Sequence, residues 1–445
     1  MVACWFNSIY MEYFEIQGGK KLRGEAIVNS SKNAAVALLM ASLINKGKTV
    51  LKNVPQIEEV NRLIEVMESI GVKFEKNGRD LTIIPPKKIA VEKINRAAAE
   101  RTRSIIMLIG ALAGQLKSYV IPQAGGCRLG SRTIKPHLFA LENLGVKIKV
   151  QAGGFAVSVG KLLSGKNIVL YETGDTVTEN LLLAAAQTKG KTEIHLASSN
   201  YMVQDLCFFL EKLGVKIKGV GTSNLEIEGV DSINKEVAYE ISEDPIEAMF
   251  FLSLAASSGS ELLIKRCPID FLQLELLKLE KMGFKYEITK QYLARNGKTN
   301  LVDLKTFSSK LVALEEKIHP LPSSAGINID NLPFFVPVAI MAKGETLIHD
   351  WVYENRAIYF TELNKLGAKV KLMDPHRVLI EGPRKLTGVE MTSPPALRPG
   401  AIILVAMLAA KGKSVLRDVY HIERGYENLV ERLQRLGAGI EKKSK

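Results

Sequence analysis

Polar and apolar positions follow two periods in this chain, and the two take turns. Between Val60 and Ile70 the apolar residues Val60, Leu63, Ile64, Met67 and Ile70 share one face of a helix. Past Gly71 the pattern in VKFEKNGRDLTII changes to a two-residue alternation around Asn77-Gly78, a pair that favours a tight hairpin turn. The same succession of helix, glycine and hairpin returns in VKIKVQAGGFAVSV, VKIKGVGTSNLEIEG and AKVKLMDPHRVLIEG. A second, largely apolar helix completes each unit, for example Lys32 to Leu43 or Thr178 to Thr188.

Glycine punctuates this pattern. Gly47, Gly114, Gly190, Gly259, Gly344 and Gly412 each end an apolar run and open a short β-like stretch. Gly71, Gly145, Gly214, Gly283, Gly367 and Gly437 each close a helix, where a left-handed residue without a side chain is favoured. The cadence predicts an α/β protein built from a βαβαββ unit of roughly 70 residues, repeated six times. One unit cannot cover its own sheet, so several must pack together, three to a globular half. The last unit runs out after Gly437 with no room for its closing hairpin, and strands near Tyr13 to Ile27 are expected to supply that pair. The chain should then start in one domain, cross to the other and return, with boundaries near Asn29 to Lys32 and Ser242 to Asp244. That gives a central domain, 32–242, and a discontinuous one, 11–31 plus 243–445.

Two units break the cadence. Paired glycines lie about 24 residues apart in five units and about 31 apart in the second, where the surplus surrounds Gly125-Gly126-Cys127-Arg128. A second excess holds His319-Pro320-Leu321-Pro322 and ends in Asn328-Ile329-Asp330 before another apolar helix. An insertion confined to one repeat is usually a surface loop, and often a functional one.

Composition narrows the classes. A chain of 445 residues with 47% hydrophobic and 24% charged residues is globular, and long enough for more than one core. Its net charge of +13 suits either a solvated basic surface or anionic partners, and no block of like charge marks a nucleic-acid tail. The four cysteines, Cys4, Cys127, Cys207 and Cys267, are too few for a disulfide scaffold, which fits a reducing cytoplasmic setting. Cys207 and Cys267 lie in apolar runs and read as core residues. The apolar opening before Met11 lacks a basic start, and Met11 is a candidate start of translation. No stretch is apolar enough to span a bilayer, so no membrane partner is expected. The histidines form no pair at metal-ligand spacing, and no metal is expected.

The charged residues at loop–helix junctions carry the candidate chemistry. Ser31-Lys32-Asn33 precedes an apolar helix, where Ser31 is an N-cap or part of an anion site. Thr102-Arg103-Ser104 opens the helix expected from Ile105 to Ala113, with a basic residue set against the macrodipole. Arg356, Arg398 and Arg424 occupy further loops, and arginine grips carboxylates and phosphates with two donors at once. Each arginine alone reads first as a solvated side chain. Together, Lys32, Arg103, Arg132, Arg398 and Arg424 imply a multiply charged anionic ligand, with Asp330 a candidate base. Cys127, flanked by glycines, Arg128 and Arg132, is either a passive turn residue or a thiol with a lowered pKa.

At this point the residues resemble the enolpyruvyl transferases, and within them the branch acting on UDP-N-acetylglucosamine. The markers are Ser31-Lys32-Asn33-Ala34-Ala35, Gly125-Gly126-Cys127 with Gly130-Ser131-Arg132, Tyr353-Glu354-Asn355-Arg356, and Tyr420-His421-Ile422-Glu423-Arg424-Gly425-Tyr426-Glu427. The resemblance implies a two-domain inside-out α/β barrel, three βαβαββ units per domain, with the active site in the cleft between them. It implies that phosphoenolpyruvate binds among Lys32, Arg103, Arg132, Arg398 and Arg424. Cys127 would protonate or add to phosphoenolpyruvate, and Asp330 would take the proton of the acceptor hydroxyl. Asn33, Val352 and Arg356 would contact substrate. The acceptor implied is a uridine nucleotide, no cofactor is needed, and the product would feed peptidoglycan synthesis.

The sequence departs from the family in the acceptor half. Arg-Pro-Ile/Val-Asp-Leu-His is replaced by Arg132-Thr133-Ile134-Lys135-Pro136-His137, and Ser-Val-Gly-Ala-Thr by Gly174-Asp175-Thr176-Val177-Thr178. Glu-Pro-Glu becomes Ser199-Asn200-Tyr201. Asp175 would repel a diphosphate, so a paralogous transferase with another nucleotide acceptor is the alternative. From another class, a protein binding RNA ends is weighed because RNA 3′-phosphate cyclases use related units. The loops offer few stacking aromatics for that role, so no nucleic-acid partner is expected.

Overall fold

Gly71 takes φ 103° and so ends helix Glu58–Ser69 in a region closed to most side chains. Its five counterparts, Gly145, Gly214, Gly283, Gly367 and Gly437, take φ between 85° and 99°. A computed structural model describes residues 12–125, 133–320 and 327–444. Within these residues the strands form six separate sheets. Five carry the expected hairpin, including Lys73–Asn77 with Asp80–Ile84 and Val370–Asp374 with Arg377–Gly382.

The sixth hairpin differs from expectation. Glu12–Gly18 supplies only one of its strands, pairing antiparallel with Gly412–Arg417 on one side and Gly439–Ser444 on the other. The pattern explains the fit, since Phe14 and Ile16 point into the core and are fully buried. The second N-terminal strand, Arg23–Ile27, instead pairs parallel with Glu261–Pro268. Val237–Glu240 does the same for Thr49–Lys52.

The two expected crossovers lie side by side. Ser30 and Glu243 form an antiparallel bridge, Ser31 N donates to Ser242 O at 2.7 Å, and Asp244 N donates to Asn29 O at 2.9 Å. Helices pack in two sets. Lys32–Ser42, Leu108–Leu112, Asp175–Ala185 and Tyr201–Lys212 pack together in one, and Pro245–Ser258, Phe335–Met341 and Leu397–Ala409 in the other. Every residue from Pro245 to Ser257 is buried, as expected of a helix apolar on all sides. Each fully buried Phe, Leu or Ile there contributes about 1.5–3 kcal/mol. Cys207 and Cys267 are buried core residues.

The helix expected at Ile105 to Ala113 begins as a 3-10 turn, Arg103–Met107, before Leu108–Leu112. Thr102 makes no side-chain cap there; its hydroxyl donates to Glu59 Oε1 at 2.7 Å. The helix expected from Thr178 starts earlier, at Asp175.

Candidate active site

The crossover strands set two helix starts against each other. Ser31 Oγ accepts from Ala34 N at 3.1 Å and caps Lys32–Ser42. Asp244 caps Pro245–Ser258 through Ile246 N at 2.8 Å, and its other oxygen accepts from Lys32 N at 3.4 Å. A third start, that of Leu397–Ala409, has no side-chain cap and carries Arg398 in its first turn. An arginine there works against the helix dipole, and neighbouring oxygens hold it in place. Arg398 Nη2 donates to Asp330 Oδ2 at 3.3 Å and Nη1 to Tyr426 Oη at 3.0 Å. Its buried Nε has no hydrogen-bond partner among the described residues.

The charges at these starts act on one another. Burial pushes the Lys32 ammonium below the usual lysine range; Glu59 opposes the shift, Arg398 adds to it, Asp330 opposes it and Arg424 adds again. Asp330 is pushed up by burial, yet Arg398, Arg356 and Lys32 outweigh that and hold the carboxyl below its usual range. Asp244 moves the other way, because burial outweighs Arg398 and Lys32. Arg398 itself is held well above the ordinary arginine range, since Tyr426, Asp330 and Asp244 overcome its burial. Arg424 ends helix Tyr420–Glu423 and acts on Lys32 and on His421, whose pKa burial and Arg424 both lower. Lys32 and Arg424 make no ion pair among the described residues.

Among the described residues, Arg356 sits deeper than the other candidate cations. Its side chain is fully buried, donates to Asp350 Oδ2 at 2.5 Å and Oδ1 at 3.0 Å, and donates to Ile329 O at 2.7 Å. The guanidinium stacks on Tyr353, 4.2 Å from the ring centroid, and lies 3.7 Å from Asp330 Oδ1. The buried guanidinium braces the site by holding Ile329 and Asp330. Val352, in the same loop, is exposed.

The acceptor side is richer in amides than the sequence suggests. Asn33 Nδ2 donates to the Tyr201 hydroxyl at 3.2 Å, and Tyr201 is buried edge-on against Phe271. Asn328 Nδ2 donates to Asn200 Oδ1 at 2.9 Å. Asp175, expected to face a nucleotide phosphate, spends one oxygen on Ser198 Oγ at 2.5 Å and the other on Asn200 Nδ2 at 3.3 Å. Burial raises its pKa, and Asp330 adds to the rise. Lys135 is exposed at the start of Lys135–Glu142. Arg103 lies near His137, whose pKa falls to about 4 through burial and then the arginine charge. Asn180 braces that region, accepting from Gly110 N at 2.8 Å and donating to Ile106 O at 3.1 Å.

The structure therefore brings Lys32, Asp330, Arg398 and Arg424 together, with Arg356 behind them. Arg103 follows Thr102, which is tied to Glu59 beside Lys32. Cys127 and Arg132 lie outside the described residues. Sequence reasoning missed Asp244, Glu59 and Tyr426. The Asp244-Pro245-Ile246-Glu247 run is itself a helix-start signal that could have exposed the first.

Three helix starts, two cations that form no ion pair among the described residues and a carboxylate held below its usual pKa range make an arrangement suited to a small polyanion beside a proton acceptor. A family model described as EPSP synthase (3-phosphoshikimate 1-carboxyvinyltransferase) matches residues 16–433, and the chain belongs to that family of enolpyruvyl transferases. It is 34% identical over 436 residues to a UDP-N-acetylglucosamine 1-carboxyvinyltransferase of Treponema denticola, covering 98% of this chain and 100% of the relative. It is 34% identical over 435 residues to UDP-N-acetylglucosamine 1-carboxyvinyltransferase 3 of Caldanaerobacter subterraneus subsp. tengcongensis, covering 97% and 99%. The crystal structure of the enolpyruvyl transferase NikO from Streptomyces tendae superposes with a TM-score of 0.82 at 23% identity, covering 98% and 100%. That likeness shows the shared mixed α/β fold.

Proposed function

We propose that the chain transfers the enolpyruvyl group of phosphoenolpyruvate to a hydroxyl of UDP-N-acetylglucosamine and releases phosphate, as a cytoplasmic step toward peptidoglycan. The observation that carries this reading is the pair of cations, Lys32 and Arg424, that form no ion pair among the described residues and lie beside the Arg398–Asp330 contact. The proposed architecture is an inside-out barrel of six βαβαββ units in two domains, 32–242 and 11–31 plus 243–445, with the cleft at the crossovers.

In this reading Lys32, Arg103, Arg132, Arg398 and Arg424 hold the phosphate and carboxylate of phosphoenolpyruvate. The Nε of Arg398, without a hydrogen-bond partner among the described residues, is one donor for it. A proton added to C3, supplied through Cys127, leaves C2 electrophilic. The acceptor oxygen bonds to C2 as Asp330 takes the hydroxyl proton. Loss of a C3 proton and cleavage of the C2–O bond then form the vinyl ether and expel phosphate. Fixed cations cost little reorganisation as charge shifts, and a closed cleft keeps water from competing with the acceptor. Asn33 and Val352 contact the acceptor, and Arg356 holds Asp330 from behind.

A second acceptor is favoured by one feature: a carboxylate, Asp175, stands in the first turn of Asp175–Ala185, where a diphosphate would otherwise meet free N–H groups. Phosphate release from phosphoenolpyruvate across a panel of UDP-sugars and other nucleotides tests both. Release with UDP-N-acetylglucosamine supports the first reading, and release with another nucleotide alone supports the second. Release with none refutes transferase function.

A further inference from the structure

Asp330 is tied to the opposite set of elements by a chain of amides that the reaction above does not use. Asn328 Oδ1 accepts from Asp330 N at 2.9 Å. The same amide donates from Nδ2 to Asn200 Oδ1 at 2.9 Å. Asn200 donates in turn to Asp175 Oδ2 at 3.3 Å, and its Oδ1 also accepts from Tyr201 N at 2.9 Å at the start of Tyr201–Lys212. The main chain of Asn328 is anchored separately, its N–H donating to Glu275 Oε1 at 3.0 Å. Its side chain is thus free to answer to Asn200.

Because the amide is planar, its two ends are set by one torsion. When Asn200 holds Nδ2, Oδ1 faces the N–H of Asp330. When Asn200 moves away, the bond from Asp330 N is the one hydrogen bond that still holds that rotamer among the described residues. The other restraints on this loop, among them the Arg356 bond to Ile329 O and the bonds of Asn331 N and Leu332 N to Asn328 O, lie within the same set of elements.

We propose that Asn328 is a positioning residue for Asp330, and that its bond to Asn200 makes the placement of Asp330 depend on the two sets of elements meeting. The base is then aligned only when they meet over the acceptor at the start of Asp175–Ala185. This rests on the transferase reading given above.

The test compares Asn328→Ala, Asn200→Ser and the double variant in the full-length protein by phosphate release. Serine keeps an oxygen able to cap Tyr201–Lys212 but is too short to reach Asn328. Each single change should lower kcat about 10- to 100-fold, the scale expected when a catalytic group is misplaced by an ångström, with KM for phosphoenolpyruvate within about twofold. The double variant should be no slower than the slower single, since both break one linkage. The acid limb of kcat should move to higher pH as Asp330 loosens from Arg398. Asn328→Asp keeps an oxygen for Asp330 N but loses the donor to Asn200, and should resemble Asn200→Ser. Singles within threefold of wild type, losses that multiply in the double, or losses that track a lowered melting temperature with an unmoved pH profile would each overturn the proposal. Wild-type turnover is the control: its absence sinks the transferase reading, whereas its presence beside unaffected variants sinks only the coupling.

Discussion

Replacing Arg356 by methionine separates two roles that its loop position cannot tell apart. In the structure Arg356 and Asp350 are both fully buried, and among the described residues the arginine is the one side-chain cation paired with that carboxylate. Removing one partner of a buried pair leaves an uncompensated charge, at a cost of about 3–5 kcal/mol. The lost bond to Ile329 O adds about 1 kcal/mol. Urea denaturation followed by intrinsic fluorescence reads the sum. Arg356→Lys should recover only part of it, because an ammonium cannot span both oxygens of Asp350. The double variant Arg356→Met with Asp350→Leu should recover most of it, since a well-packed apolar pair can replace a buried ion pair at little net cost. The surviving activity of Arg356→Met should also need higher pH, because Asp330 loses a cation that lowers its pKa. A loss below about 1 kcal/mol, combined with a large rise in acceptor KM, would refute the buried-brace argument and return Arg356 to the substrate.

Asp330→Asn should cut kcat by about 10²–10⁴-fold while calorimetry still detects phosphoenolpyruvate binding; loss of folding instead would mark Asp330 as structural. Burial depresses the Lys32 pKa, so affinity for phosphoenolpyruvate should fall as pH rises through a value below the ordinary lysine range. Arg in place of Lys32 should remove that alkaline decline, and a decline unchanged in Lys32→Arg would assign it elsewhere. Phosphoenolpyruvate occupying Lys32 and Arg398 should raise the Asp330 pKa, placing the acid limb of kcat above that of kcat/KM; coincident limbs would contradict this. Cys127→Ser should abolish turnover or slow it greatly with an unchanged circular dichroism spectrum, and full activity would refute its role.

Local pattern carried the fold a long way. Helix-closing glycines and hairpins were legible because each depends on neighbours in sequence, as with Asn77-Gly78 and Gly71. The sixth sheet was legible only in part. An alternating strand near Tyr13 advertised an unfilled edge, but pairing with Gly412–Arg417 joins opposite ends of the chain, and nothing local chooses Glu12–Gly18 over Arg23–Ile27. At the site, Lys32, Arg398, Arg424 and Asp330 stood out because charge at a loop–helix junction is visible in sequence. Arg356 shared that context yet is buried, since a loop residue's exposure depends on what packs over it. Asn200 and Asn328 lie in segments the sequence singled out, but their linkage had no signal, because two amides become a linkage only when the fold brings them together.

The most direct test of the central claim is the transfer reaction run in deuterium oxide, with phosphate and product counted together by rapid quench and mass spectrometry. Addition of a solvent proton to C3 followed by loss of one C3 hydrogen predicts one vinyl ether per phosphate released, with solvent deuterium in its methylene group. Phosphate without the vinyl ether, or a vinyl ether free of deuterium, would contradict the addition–elimination chemistry assigned to Lys32, Arg398, Arg424 and Asp330.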